Sequence, residues 1–205
     1  MTKKAIILLA EGFEEVEAIT PIDYLRRAGV EVTMAAIGKN SIVKSARGIQ
    51  VIADTCLVKP GEEGKIPASA GEIFLSGATS ADFPGWDAVI VPGGLPGSDN
   101  LAASMEAREF LLKMDKAGKL ICAICAAPAR VLAPLGLLNG KKFTCYPGEE
   151  GKVSGADWKE DRVVMDGNII TSRGAGTAGE FACAIIDALL GAGEGKKIAD
   201  KVLLV

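Results

Sequence analysis

The sequence contains no histidine, and this absence removes a large part of ordinary enzyme chemistry. An imidazole base, as in a Ser-His-Asp triad or a Cys-His dyad, cannot be built from this chain. A histidine-ligated metal site is excluded for the same reason. Any catalysis must therefore use carboxylate, thiol, tyrosine or backbone groups.

Positive charge is not in excess either. The chain has 23 lysines and arginines against 26 aspartates and glutamates, with a net charge of -3 and a pI near 5.2. This balance gives no electrostatic footprint for a nucleic-acid backbone or an anionic membrane. We therefore expect no specific nucleic-acid binding and no membrane binding.

The N-terminus lacks the long apolar run of an export signal or a membrane span. Residues 5–10 are apolar, but four glutamates follow within the next seven positions. The five cysteines, an odd number, fit reduced thiols better than a disulfide scaffold. Both observations predict a cytoplasmic protein.

What the sequence does contain indicates one α/β domain over residues 1–205. Hydrophobic residues make up 49% of the chain, enough for one sizeable core. Apolar runs alternate with helical stretches, which is typical of a doubly wound, mainly parallel sheet. The predicted strands are 5–9, 32–37, 88–91 and 120–124, and the predicted helices are 14–28, 100–117, 126–135 and 179–190.

The remaining segments are interpreted as additions to this sheet. Turn residues between short apolar runs predict two hairpins at the margin of the sheet. They are formed by 41–43 with 49–52 and by 162–165 with 169–171. Residues 60–85 hold glycines and prolines without a sustained period and predict a long surface excursion. Residues 191–205 are ambiguous.

The most informative segment is Lys119-Leu-Ile-Cys-Ala-Ile-Cys125-Ala-Ala-Pro128, in which a buried strand runs directly into a predicted helix. Cys125 lies at the bend, where open α/β sheets place their ligands. The positive end of the helix would stabilise a thiolate, and the small residues after the bend suit a nucleophile elbow. A free cysteine can equally be a small buried hydrophobe, so position alone leaves both interpretations open.

Cys122 and Cys125 also form a Cys-x-x-Cys pair, which elsewhere marks a redox couple or half of a zinc site. In a strand, a rise of about 3.3 Å per residue places their Cα atoms about 10 Å apart. A disulfide needs roughly 4.4–6.8 Å. We therefore predict that the pair does not close and that Cys122 is a core residue.

A glycine-rich turn could serve such a thiolate. Val91-Pro-Gly-Gly-Leu-Pro-Gly97 follows a predicted strand, and the amides of Gly93 and Gly94 can approach a bound oxygen closely. The segment lacks the Lys-Ser/Thr ending of a phosphate loop, and such a turn is often only a turn. It is a candidate oxyanion hole.

Glu17 is a candidate proton donor. Helical spacing aligns it with Pro21 and away from the charged Asp23. A carboxyl group on this drier flank can hold a proton near neutral pH and donate it to a thiolate. Glu14 and Glu15, close to the helix start, are interpreted as surface charges that the helix dipole favours.

These segments together resemble the ThiJ/PfpI superfamily, over nearly the whole chain except residues 60–85. The motifs are Glu-Glu-Val-Glu17-Ala, Arg26-Arg27-Ala-Gly, Val-Pro-Gly-Gly, Ala123-Ile-Cys-Ala-Ala-Pro128 and Thr171-Ser-Arg-Gly-Ala-Gly-Thr177, in the family's order. The resemblance implies a flavodoxin-like three-layer sandwich of the class I glutamine amidotransferase type. It also implies a homodimer and no cofactor or metal.

The resemblance further assigns residues of the site. It implies an oxidation-sensitive Cys125 paired with a protonated Glu17, and an oxyanion hole made by the Gly94 and Ala126 amides. Possible substrate-binding residues are Gly93, Tyr146, Arg27 and Arg47; for the two arginines a solvated surface role is the alternative. Tyr146 stands where some relatives carry a histidine, so a step that needs that imidazole does not transfer to this chain.

The activity that the resemblance implies is a cofactor-independent glyoxalase or deglycase. Its substrates would be methylglyoxal-type dicarbonyls or their early protein adducts, with Cys125 as nucleophile and Glu17 as proton shuttle. The main alternative is a peroxide-sensing, redox-regulated chaperone that uses oxidation of the same cysteine. A hydrolase or amidase ranks last, because such an enzyme normally needs a base that this chain lacks.

Overall fold

A seven-stranded sheet forms the centre of the computed structural model, which describes residues 1–58, 64–65, 74–75 and 85–204. The strands are β1 (Lys4–Leu9), β2 (Glu31–Ile37), β3 (Ile42–Lys44), β4 (Gln50–Ile52), β5 (Thr55–Leu57), β6 (Gly64–Lys65), β7 (Phe74–Leu75), β8 (Ala88–Val91), β9 (Leu120–Ile124), β10 (Lys142–Phe143), β11 (Asp157–Trp158), β12 (Val163–Asp166) and β13 (Ile169–Ser172). The helices are α1 (Glu15–Arg27), α2 (Gly97–Ala103), α3 (Met105–Lys116), α4 (Ala178–Leu190) and α5 (Glu194–Val202).

The strand order of the sheet is β12-β13-β9-β8-β1-β2-β5. Every neighbouring pair is parallel except β12 and β13, which form an antiparallel hairpin at one edge. The chain thus starts in the middle of the sheet, builds outwards to one side and then to the other. This is the predicted doubly wound, mainly parallel sheet.

Both faces of the sheet are buried, because alternate side chains of each strand point to opposite sides. In β1, Ile7 and Leu9 pack with α1, α4 and α5, whereas Ile6 and Leu8 pack with α3. All four are fully buried. The result is a three-layer α/β arrangement with one hydrophobic core on each side of the sheet.

Two predicted helices are interrupted. The stretch 100–117 is divided into α2 and α3 at Ser104, whose backbone is extended and whose hydroxyl accepts the Ala107 N–H. A serine that caps a helix in this way begins a new one. The stretch 126–135 forms one π-helical turn, Pro128–Leu132, and one 3-10 turn, Ala133–Leu135.

The remaining predictions concern the two hairpins, the C-terminal segment and residues 60–85. The two hairpins are present as β3–β4 and β12–β13, and part of the ambiguous C-terminal segment forms α5. Strand β5 was not predicted, because it is only three residues long and therefore has no measurable period. The excursion expected at 60–85 lies outside the described residues, apart from the paired strands β6 and β7 and Gly85.

Candidate active site

Cys125 occupies a sharp turn directly after β9. Its φ of 65° lies in the left-handed region, which costs a non-glycine residue about 1–2 kcal/mol. The Cys125 N–H donates to the Ser172 carbonyl at 2.9 Å, and the Cys125 carbonyl accepts the Tyr146 N–H at 2.8 Å. The strained conformation is therefore held from both sides, as a nucleophile elbow requires.

The segment after Cys125 is not the regular helix that the sequence predicted. Pro128 and Pro134 have no backbone N–H to donate, and Gly136, with a φ of 74°, ends the segment. The π-helical and 3-10 turns nevertheless follow each other without a break, and the Arg130 N–H donates to the Ala126 carbonyl at 2.9 Å. The expected stabilisation of a thiolate by the start of this helical segment stays a prediction.

Two backbone N–H groups contact the sulfur of Cys125. The backbone N–H groups of Gly94 and Ala126 hydrogen bond to Cys125 Sγ and favour the thiolate. Burial and the negative charge of Glu17 act in the opposite direction and, on balance, raise the pKa of the Cys125 thiol. Ionisation of the Cys125 thiol is therefore linked to the protonation of Glu17, and the thiolate stays a prediction.

Glu17 lies beside this thiol at the base of the site. Its side chain is 1% exposed, and burial raises its pKa from 4.5 to about 7. The carboxyl group hydrogen bonds with Cys125 and accepts N–H groups from Gly93, at 2.9 Å, and from Ala175. Two negative charges in contact are unfavourable, so a thiolate forms only while Glu17 holds the proton.

The glycine-rich turn after β8 brings backbone close to both groups. A Cβ atom at position 93 would lie 2.6 Å from Cys125 Cβ and 2.6 Å from Glu17 Oε2, so only glycine fits there. At Gly94, with a φ of 91°, a Cβ atom would lie 2.5 Å from the Glu14 nitrogen. The turn is therefore packed against the loop after β1, and the Gly94 N–H is directed at the sulfur.

These groups line one cavity of about 400 Å³ at the carboxyl ends of the strands. Six residues that the sequence analysis selected form part of its wall, namely Cys125, Glu17, Gly94, Ala126, Tyr146 and Arg47. Arg47 is exposed and forms no ion pair within the described residues. The cavity thus combines a thiol, a carboxyl group that is readily protonated, two backbone donors and one cation.

Three of the sequence interpretations differ from this arrangement. Arg27 does not line the cavity; it forms an ion pair with Asp23 at 2.7 Å in the last turn of α1. Gly93 contacts Glu17 rather than the open cavity. Glu14 lines the cavity and Glu15 is 8% exposed, so neither is an ordinary surface charge.

Some residues of the wall were not selected from the sequence. Leu95 and Ala175 belong to motifs that had been noticed, but as side chains they carry no chemical signal. Ala46 and Glu149 lie on loops without any motif, and only the tertiary fold brings them to the cavity. The Cys-x-x-Cys prediction is confirmed, because Cys122 is a free thiol fully buried in the core.

Comparison with known proteins decides the family. Residues 3–188 match the sequence profile of the DJ-1/PfpI family. The chain belongs to the DJ-1/PfpI family. Among its members, the Parkinson disease protein 7 homolog of Danio rerio is 36% identical, over 93% of this chain and 91% of that protein.

Two further members of the DJ-1/PfpI family are informative. The glutathione-independent glyoxalase DJR-1.2 of Caenorhabditis elegans is 34% identical, over 92% of this chain and 90% of that protein. The solved structure of oxidized Toxoplasma gondii DJ-1 superimposes with a TM-score of 0.84 at 34% identity, covering 98% of each chain. The family includes glyoxalases, and its fold is the three-layer arrangement described above.

Within residues 1–58 and 85–204, no helix is long and apolar enough to cross a bilayer.

Proposed function

We propose that this protein is a cofactor-independent glyoxalase or deglycase that acts on methylglyoxal-type dicarbonyls or their early protein adducts. The observation that carries the proposal is the contact between the buried Glu17 carboxyl and the Cys125 thiol in a cavity with two backbone donors. Membership of a family that includes a glyoxalase is consistent with it.

In the first step, Cys125 Sγ adds to the aldehyde carbon of methylglyoxal. The C–S bond forms as the carbonyl π bond opens, and the oxygen gains the negative charge. The N–H groups of Gly94 and Ala126, which contact the sulfur in the resting site, are positioned to donate to this oxyanion. The proton held by the Glu17–Cys125 pair is then transferred to this oxygen, which completes a hemithioacetal.

In the second step, Glu17 moves a proton between two carbon atoms of the substrate. As the carboxylate it removes the hydrogen from the former aldehyde carbon, which gives an enediol, and it returns a proton to the neighbouring carbon. The first carbon is thereby oxidised to a thioester and the second is reduced to an alcohol. Water cleaves the thioester to lactate and the free thiol, so no external oxidant or reductant is needed.

The test is consumption of methylglyoxal with detection of lactate, using reduced protein. Many turnovers per chain are expected for the wild type, and Cys125→Ser should abolish them. Cys183→Ser is the matched control, because Cys183 is a partly exposed thiol outside the cavity. Consumption that stops near one equivalent per chain would refute the enzymatic proposal.

A redox sensor is the second candidate. It is favoured by a partly exposed thiol beside a donor carboxyl and two N–H groups, which can hydrogen bond to the oxygens of a sulfinate. A relative was solved in an oxidized form. Each peroxide would transfer one oxygen to sulfur and be reduced to water. Mass spectrometry after substoichiometric peroxide should then find oxygen on Cys125 before any other thiol.

We also propose that the protein acts as a homodimer, as the family resemblance implies. Val16 and Ile19 on α1 and Ile49 and Ile52 at the β3–β4 hairpin are between 42% and 53% exposed. Exposed apolar side chains of this kind are common at interfaces between chains. Light scattering of the purified protein should give twice the mass of one chain, and a mass of one chain would refute the dimer.

A further inference from the structure

Arg130 joins the carboxylate of Glu149, which lines the cavity, to the carboxylate of Asp99 in α2. Its Nε and Nη2 donate to the two oxygens of Glu149 at 2.8 and 3.0 Å. Its Nη1 donates to the two oxygens of Asp99, at the start of α2, at 2.8 and 3.1 Å. A guanidinium group that forms paired bonds with carboxylates fixes their orientation as well as their distance.

This ion pair is more sheltered than an ordinary surface pair. The side chain of Arg130 is 23% exposed and that of Glu149 is 12% exposed. Arg130 holds the pKa of Glu149 below its usual range, so the carboxylate stays charged near neutral pH. Lys152 binds the same carboxylate at 2.7 Å. A shielded charge with several donors is held more firmly than an exposed one.

Glu149 is the last residue of a turn that begins at Tyr146, here called the Tyr146–Glu149 turn. The turn is closed by a hydrogen bond from the Glu149 N–H to the Tyr146 carbonyl at 3.0 Å. Its first residue is bound to the carbonyl of Cys125, and its last residue is bound to Arg130, whose own N–H donates to Ala126. Both ends of the turn are thus attached to the segment that carries the thiol.

The Tyr146 ring forms a wall with little packing of its own. Tyr146 lines the reactive cavity and also a neighbouring cavity of about 440 Å³. The side chain is 53% exposed and lies against Gly174, which has no side chain to hold it. The position of the ring therefore depends on the turn, which is held by these two attachments and by the buried Cys145 that precedes it.

We propose that Arg130 is a positioning residue that fixes the Tyr146–Glu149 turn and thereby makes the reactive cavity favour small carbonyl compounds over larger adducts. The substrates named in this inference come from the proposed function, whereas the role of Arg130 in holding the turn rests on the contacts described above. With Arg130 in place, the ring separates the two cavities. Without it, the Cys125–Tyr146 backbone bond alone ties the turn to the elbow, and the ring can move away from the thiol.

The decisive experiment measures access to Cys125 with two thiol reagents of different size. In a Cys183→Ser background, the alkylation rates of iodoacetamide and of fluorescein-maleimide are compared for wild type and Arg130→Met. We expect the rate with the bulky reagent to rise about tenfold relative to the rate with the small one, since small displacements near a reactive group change rates by such factors. Peptide mapping verifies that Cys125 is the labelled residue.

Glu149→Gln tests the same attachment from its other end and keeps the shape of the side chain. It should raise the same ratio, and the double variant should show no further increase, because the two substitutions break one interaction. Arg26→Met is the control, since Arg26 is a paired arginine that does not line the cavity. An unchanged ratio in both folded Arg130→Met and folded Glu149→Gln would overturn the proposal.

Turnover separates this inference from the proposed function. For methylglyoxal, Arg130→Met should raise KM about three- to tenfold with a smaller change in kcat, because the wall is displaced while the reacting groups stay in place. For a larger glycated peptide, kcat/KM should instead increase. If neither the wild-type protein nor any variant turns over substrate, the proposed function is refuted. The ratio of the two alkylation rates still decides whether Arg130 positions the turn.

Discussion

Glu17 and Cys125 hydrogen bond to each other at the base of the cavity, so that each controls the protonation of the other. Burial raises the pKa of both groups, and ionisation of one makes ionisation of the other less favourable. The pair therefore reacts as a unit. The chemistry of the pair requires a state in which the Glu17 carboxyl holds the proton and Cys125 Sγ carries the negative charge.

The reactivity of Cys125 should consequently follow two ionisation steps. Coupled groups lose their protons in steps that belong to the pair and not to either residue. The iodoacetamide rate of wild-type protein, measured from pH 5 to 10, should need two apparent pKa values. Glu17→Gln removes the second titrating group, so its profile should need only one. A single-step profile that is the same in both proteins would show that the groups are not coupled.

Stability should depend on pH through Glu17. The folded protein raises the pKa of this carboxyl from 4.5 to about 7. Between these values the unfolded chain releases the proton while the folded chain retains it, so the free energy of unfolding falls as pH rises. The fall is complete above about pH 7 and amounts to at most about 3 kcal/mol.

Glu17→Gln should remove this pH dependence. The variant is expected to gain stability relative to wild type as pH rises from 4.5 to 7.5, and to gain nothing further above that range. Urea unfolding at several pH values measures the difference. Glu180→Gln, which changes a partly exposed carboxylate of α4 that pairs with Arg162, serves as the control. A constant difference between Glu17→Gln and wild type over this range would contradict the burial argument.

Gly93→Ala should damage both stability and activity. The added Cβ would lie 2.6 Å from Cys125 Cβ and 2.6 Å from Glu17 Oε2, so the two reactive side chains would have to separate. Overpacking of this kind costs about 1–3 kcal/mol, and turnover should be lost with it. Gly151→Ala is the control, because a Cβ there has no atom within 4 Å. Urea unfolding and lactate formation give the two readouts.

The left-handed backbone conformation of Cys125 should lower the free energy of unfolding of the protein. Cys125 has a φ of 65°, a conformation that glycine adopts without strain. Cys125→Gly should therefore be about 1 kcal/mol more stable than Cys125→Ala, although neither retains the thiol. Denaturant unfolding of the two variants measures this difference. Equal stability, or a more stable alanine variant, would show that the left-handed turn is not strained.

Much of the fold could be predicted because its signals are local. The buried runs that became β1, β2, β8 and β9 are long enough to show continuous apolar sequence, and β12–β13 is marked by its turn. Strand β5 and the division between α2 and α3 were not predicted, because neither has a local signal of this kind. A three-residue strand has no period, and the effect of Ser104 depends on one local hydrogen bond.

The candidate site was predicted only as far as its motifs extend. Cys125 and Glu17 were selected because a cysteine at a strand end and a carboxyl on an apolar helix flank are unusual positions for these residue types. The pKa of Cys125 also depends on burial and on the contact with Glu17, which no local pattern in the sequence shows. Glu149 and Arg130 gave no sequence signal.

The sequence by itself determined the strand and helix runs, the absence of an imidazole base and the position of the cysteine elbow, since these depend on neighbouring residues and on composition. Only the tertiary structure decided how the proton is shared between Glu17 and Cys125 and which loops enclose them. Burial, charge coupling and the bonds of Arg130 act between residues that are far apart in the chain. No local pattern encodes the distances on which these energies depend.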